Sequence, residues 1–152
     1  HKASHEGIIC VEKIAGVEGV RPLDVTRIPA CTYSIPQVAS VGWTEAKARA
    51  EGKKVRTAIL PLTAVPRALA ARDTRGLIKL VAEEGTGKLL GAHVLADQAG
   101  EVIQAATLAV KFGLRVQDLV ETFHPYLTMV EGLKLAALTF EKDVTKLSCC
   151  AA

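Results

Sequence analysis

The residues best suited to chemistry stand near the end of the chain, where Cys149 and Cys150 are adjacent and only two alanines follow. Neighbouring thiols can close on one soft ion, because thiolates select soft metals, and two suffice for an ion that prefers linear two-coordination. A closed tetrahedral zinc site would need two further ligands, and Cys10 and Cys31 fall in distant elements without finger-like spacing. Incidental tail cysteines and a strained vicinal disulfide are the competing readings. Tyr126 and Glu131 form a second candidate pair, at the point where the chain enters its last helical pattern. Each has a structural account: a tyrosine there packs, and a glutamate near a helix N-terminus is stabilised by the helix dipole.

The remaining candidates read as scaffold. His1 and His5 are spaced i, i+4 without a third ligand, and His93 and His124 have no metal-ligand spacing at all. The run Gly85-Thr86-Gly87-Lys88-Leu89-Leu90-Gly91 has the glycines of a dinucleotide fingerprint at the wrong interval, and it joins two strands instead of opening a helix. Asp73, Glu83, Glu84 and Asp97 fall at strand ends or loops, where a solvated carboxylate is the expected state.

Those residues depend on elements that the sequence sketches in order. Apolar positions Ile9, Cys10, Ile14 and Val17 fit an opening helix closed near Gly16, and a linker holding Pro22 and Pro29 follows. Residues 30–33 and 38–43 read as a strand pair or one interrupted strand. Thr44 caps a short helix that ends at Gly52. Residues 55–62 read as a strand, 63–74 as loop, and 77–82 with 88–95 as a hairpin turning on glycines. From residue 99 the period changes to that of a helix. Polar positions Glu101, Gln104 and Lys111 trace one narrow face, which predicts a helix buried on more than one side. A shorter helix over 116–123 follows, then a last one with its stripe at Leu127, Val130, Leu133, Ala137, Phe140, Val144 and Leu147. Strands first and helices last predict an α+β domain, an antiparallel sheet with helices packed on one face. Residues 1–26 are assigned to the end of a preceding domain and its linker, 27–147 to the sheet-and-helix domain and 148–152 to the Cys-Cys tail.

Composition narrows the function classes. In 152 residues, 49% are hydrophobic and 23% charged, as in an ordinary soluble globule, and the net charge of +3 is scattered. Nucleic-acid binding has no support. No apolar run approaches the ~20 residues of a membrane span, and four cysteines fit a reducing, cytoplasmic setting better than a disulfide scaffold.

Ile28-Pro29-Ala30-Cys31-Thr32-Tyr33-Ser34-Ile35-Pro36-Gln37-Val38-Ala39-Ser40-Val41-Gly42-Trp43-Thr44-Glu45, Asp73-Thr74-Arg75-Gly76-Leu77-Ile78-Lys79-Leu80, Leu90-Gly91-Ala92-His93 and Ala99-Gly100-Glu101-Val102-Ile103 resemble the dimerisation domain of flavin-dependent pyridine nucleotide-disulfide reductases. The opening His1-Lys2-Ala3-Ser4-His5-Glu6-Gly7 is similar to the helix closing the flavin domain of the dihydrolipoamide dehydrogenase branch. Pro125-Tyr126-Leu127-Thr128-Met129-Val130-Glu131-Gly132-Leu133, with Ser148-Cys149-Cys150-Ala151, resembles the mercury-reducing branch. That likeness implies a homodimeric flavoenzyme using FAD and NADPH, whose binding motifs are absent from these 152 residues, with Hg(II) as substrate. It also implies catalytic positions at Tyr126 and Glu131, with Tyr126 standing where disulfide-reducing relatives carry their acid-base histidine, five residues before the glutamate. His124 does not inherit that role. The tail pair Cys149 and Cys150 would be metal ligands that gather Hg(II), and the isolated chain would be inactive. A dihydrolipoamide dehydrogenase-like fragment and a non-catalytic dimerisation or metal-binding module are the alternatives.

Overall fold

Gly85 and Gly87 adopt positive φ, 86° and 69°, a conformation that glycine takes without side-chain strain. They fold β4 (Leu77–Glu83) back onto β5 (Leu89–Ala96). This hairpin is the centre of a five-stranded antiparallel sheet of order β1-β2-β5-β4-β3, with β1 at Ala30–Thr32, β2 at Gln37–Gly42 and β3 at Val55–Pro61. The computed structural model describes residues 1–143. The first two strand segments are therefore a pair, registered Cys31 to Ala39.

Alternation assigns the two faces of the sheet. Leu60, Ile78, Val94 and Ala39 stand opposite one another across four strands and are all buried. Against that face pack α4 (Ala99–Phe112), over β2 and β5, and α6 (Glu131–Leu138), over β3 and β4, with α5 (Val116–Glu121) lying on α6. The layer arrangement is the α+β sandwich expected. A register shift at Val81/Ala82 adds Leu90 to β5. The other face carries α2 (Glu45–Ala50) at one end, where Ala48, Val55 and Val81 form a small second core with Trp43 and Leu90. Thr44 Oγ1 accepts the Lys47 amide and caps α2, as its spacing predicts.

Three expectations need correction. Residues 63–74 are not simply loop: a 3₁₀ turn at Leu62–Ala64 leads into α3 (Pro66–Ala70), because Pro66 sits in the first helical turn, where a missing amide proton costs nothing. The helix after residue 115 stops at Glu121, short of Phe123. The last helix begins at Glu131 and not near Leu127, whose φ of 57° breaks the helical path, and it ends at Leu138. Val144 and Leu147 of its predicted stripe lie outside the described residues.

The opening helix, α1 (Lys2–Ile14), forms as predicted, but none of its residues is buried, and Ile8, Val11 and Ile14 face outward. A 3₁₀ turn at Val25–Arg27, capped by the Asp24 carboxylate, precedes the sheet. Among the described residues no helix is long and apolar enough to cross a membrane.

Candidate functional site

The loop between α5 and α6 is where the sequence candidates meet. Phe123 is almost fully exposed, Tyr126 is 58% exposed and Leu127 is 45% exposed. Large apolar side chains held in water at a loop tip are unusual for packing residues. Tyr126 therefore stands outside the core, in the loop ahead of α6.

Backbone contacts hold that loop in place. The Thr128 hydroxyl donates to the Pro125 carbonyl at 2.7 Å, closing a turn around Tyr126 and Leu127. The Glu131 carboxylate accepts the Leu127 amide through Oε2 at 3.1 Å. Glu131 amide and Thr128 Oγ1 complete the arrangement with a long contact of 3.4 Å. Together they leave Leu127 in the left-handed region, a conformation costly for a branched residue unless its surroundings enforce it.

Glu131 is the buried charged side chain among the described residues, at 4% exposure. It sits at the first residue of α6, and its carboxylate accepts the Leu127 amide. Tyr126 and Glu131 are thus brought into one loop-and-helix junction, with the tyrosine facing outward and the carboxylate turned in to grip the backbone beside it. Thr128 escapes a reading from composition alone. Its signal is the Thr-x-x-Glu spacing to Glu131, the pattern of a capping box ahead of an apolar helix.

Other candidates are dispersed. His124 Nδ1 lies 3.0 Å from the Thr122 carbonyl oxygen, a local turn contact. His93 lies in β5 with Nε2 3.2 Å from the Trp43 carbonyl oxygen; burial, with Lys79 nearby, pushes its pKa below the ordinary histidine value despite that bond. Lys79 is itself paired with Glu45 at 2.9 Å. Asp73 is held down to about 2 by hydrogen bonds from Arg75 on an exposed turn, and Glu83 is lowered by Lys53 and Thr86, so both have surface structural explanations. Among the described residues no three His, Cys, Asp or Glu side chains cluster as a metal site. Cys10 is exposed and Cys31 half-buried, both as free thiols. Cys149 and Cys150 lie outside the described residues.

A cleft of about 330 Å³ opens beside the start of α4, lined in part by Cys31, Tyr33, Gln37 and Gly100. Gln37 Oε1 already accepts the Gly100 amide there at 2.9 Å, which occupies one free donor of the helix terminus from within the chain.

Comparison with known proteins gives a consistent result. Residues 28–137 match the dimerisation domain of pyridine nucleotide-disulphide oxidoreductases. The chain is 57% identical over 150 residues to a mercuric reductase of Bacillus cereus, covering 98% of this chain and 24% of that protein. With a mercuric reductase of Lysinibacillus sphaericus the identity is 55% over 150 residues, covering 98% and 27%. The chain thus spans about a quarter of the length of these curated relatives. Among solved structures, LpdA of Mycobacterium tuberculosis superposes with a TM-score of 0.81 at 28% identity, over 92% of this chain and 30% of that one.

Proposed function

Because the chain belongs to the pyridine nucleotide-disulphide oxidoreductase family as its dimerisation domain, we propose that it serves as the C-terminal part of a mercuric reductase, a cytoplasmic flavoenzyme that uses NADPH to reduce Hg(II) to Hg(0). The observation that carries this reading is the identity of 55% and more to mercuric reductases across 98% of the chain. In this reading residues 1–26 close the preceding flavin domain, 27–147 form the dimer-building domain, and 148–152 form the metal-gathering tail.

In such an enzyme NADPH would supply the two reducing electrons and FAD would relay them, but the described residues do not fit either cofactor. Gly85 and Gly87 turn a hairpin and open no helix, and one free amide at the start of α4 is taken by Gln37. Both cofactors are assigned to the remainder of the longer enzyme.

The roles left to this chain concern the ion and the partner. Cys149 and Cys150 bind Hg(II) as thiolates, each thiol releasing its proton as its sulfur–mercury bond forms. Tyr126 is presented at the partner subunit's active site as a hydrogen-bond donor or weak oxygen ligand, a role suited to a reaction that needs no imidazole to shuttle protons. Glu131 fixes the loop that carries it. The exposed Leu108 and Phe112, four residues apart on α4, together with Leu114, supply apolar surface for a homodimer.

Hg(II)-dependent oxidation of NADPH by the full-length enzyme tests this reading. The expected result is turnover with Hg(II) and little with a lipoamide-type disulfide. Efficient disulfide reduction without mercury turnover would contradict it.

A further inference from the structure

Gly132 is the second residue of α6 and is buried, and its φ lies outside the left-handed region, so its backbone conformation does not call for glycine. Inside a helix glycine is the poorest former after proline, and its place there needs another reason. That reason is space. A Cβ on Gly132 would stand 2.5 Å from Ile78 Cδ1 and 3.6 Å from Val65 Cγ2. Ile78 is fully buried in β4, registered between Leu60 of β3 and Val94 of β5, and Val65 is fully buried ahead of α3. In a close-packed interior an added methyl group displaces its neighbours instead of filling a void. The first turn of α6 therefore lies against the sheet at a depth that a side chain at this position would not permit.

The same turn anchors the site loop. The Gly132 amide donates to the Met129 carbonyl at 3.0 Å, and Glu131, one residue earlier, accepts the Leu127 amide at 3.1 Å. That amide belongs to the peptide group that follows Tyr126, so the height of α6 above β4 reaches the tyrosine backbone through Glu131. A group that must meet a small ion tolerates little displacement, since a shift of about 1 Å can cost two orders of magnitude in rate. We propose that Gly132 and Ile78 are a matched positioning pair: the missing side chain on one and the Cδ1 of the other set the depth of α6, and with it the place at which the loop presents Tyr126 to Hg(II). This rests on the mercuric reductase reading and adds to it two core residues whose own contact with the ion is not required.

The pair makes a compensation test. In the 152-residue chain, hydrogen exchange at the Leu127 amide should accelerate in Gly132→Ala and return to the parent rate when Ile78→Val is added, because valine lacks the Cδ1 that the new methyl group meets. In the full-length enzyme, Gly132→Ala should lower kcat/KM for Hg(II) by about tenfold. Adding Ile78→Val should restore it, and the loss should vanish when Tyr126→Phe is already present, since the displacement acts through the tyrosine. If Gly132→Ala prevents folding, the double variant should recover both fold and turnover. Unchanged Leu127 exchange in Gly132→Ala, no recovery in the double variant, or a full tenfold loss persisting beside Tyr126→Phe would each overturn the proposal. If Tyr126→Phe alone leaves Hg(II) turnover untouched, the assignment of Tyr126 fails and takes the proposal with it. That failure is recognisable because the exchange effect and its reversal by Ile78→Val would remain.

Discussion

Tyr126 and His93 show how far apart exposure and burial place two residues of the same sheet-and-helix domain. Tyr126 stands largely in water, so Tyr126→Phe should change the stability of the chain by no more than about 0.5 kcal/mol while slowing Hg(II) turnover in the full enzyme. A loss of several kcal/mol in Tyr126→Ala on chemical denaturation, as for a buried aromatic, would show that the ring packs. His93 is held below its ordinary pKa of 6.5, chiefly by burial and further by Lys79, against a raising bond to the Trp43 carbonyl. The groups around it are Lys79, the Glu45 paired with that lysine and the Trp43 backbone. The folded state therefore binds fewer protons than the unfolded chain. The stability this contributes is present above pH 6.5 and is lost as pH falls through the lower folded pKa. Denaturation midpoints should decline over that window, and the decline should flatten in His93→Gln; an NMR titration placing His93 above 6.5 would reverse the sign.

At the scale of elements, the junction of β2, α2 and β5 depends on backbone approach. A Cβ on Gly91 would fall 2.1 Å from the Trp43 carbonyl oxygen, a contact with backbone that no rotamer relieves. Gly91→Ala should destabilise the chain on the order of 3 kcal/mol, and a wild-type melting curve would show that the strands can part there. Leu133, fully buried where α6 meets the sheet, should cost about 2–5 kcal/mol when cut to alanine. Most elements were legible because their signals are local. Thr44 caps, Gly85 and Gly87 turn, and the polar face of α4 repeats at helical spacing. The start of α6 was not legible, because the apolar step from Leu127 to Val130 matches a helix while the Thr128 and Glu131 contacts hold Leu127 at positive φ. The same contacts make the site loop, so periodicity misplaced the boundary at the residues that present Tyr126. Residues 63–74, read as loop, err in the opposite direction, since Pro66 in that stretch opens a helix. The fold of the sheet followed from alternation, but the second small core under α2 depends on the shift at Leu90, which no pattern in the sequence announces.

At the scale of the whole molecule, exposed apolar side chains lie on α1 (Ile8, Val11, Ile14), beside the first strands (Tyr33, Ile35), on α4 and in the site loop. α6 is nearly enclosed by its own chain, so among the helices that pack on the sheet the apolar surface offered to a partner comes from Leu108, Phe112 and Leu114 at α4, with the loop residues beside them. A two-fold dimer burying these should appear in sedimentation at high concentration, and Phe112→Glu should shift it toward monomer. In the proposed function the Cys149-Cys150 tail is the part that joins this domain to mercury. Its direct test is titration of the reduced 152-residue chain with Hg(II), following thiolate–mercury absorbance and proton release together. One tight ion per chain is expected, with nearly two protons released at neutral pH because ordinary thiols titrate near 8.5. The site should survive Cys10→Ala with Cys31→Ala and vanish in Cys149→Ala with Cys150→Ala. Loss of the site in the first pair, or its persistence in the second, would contradict the account.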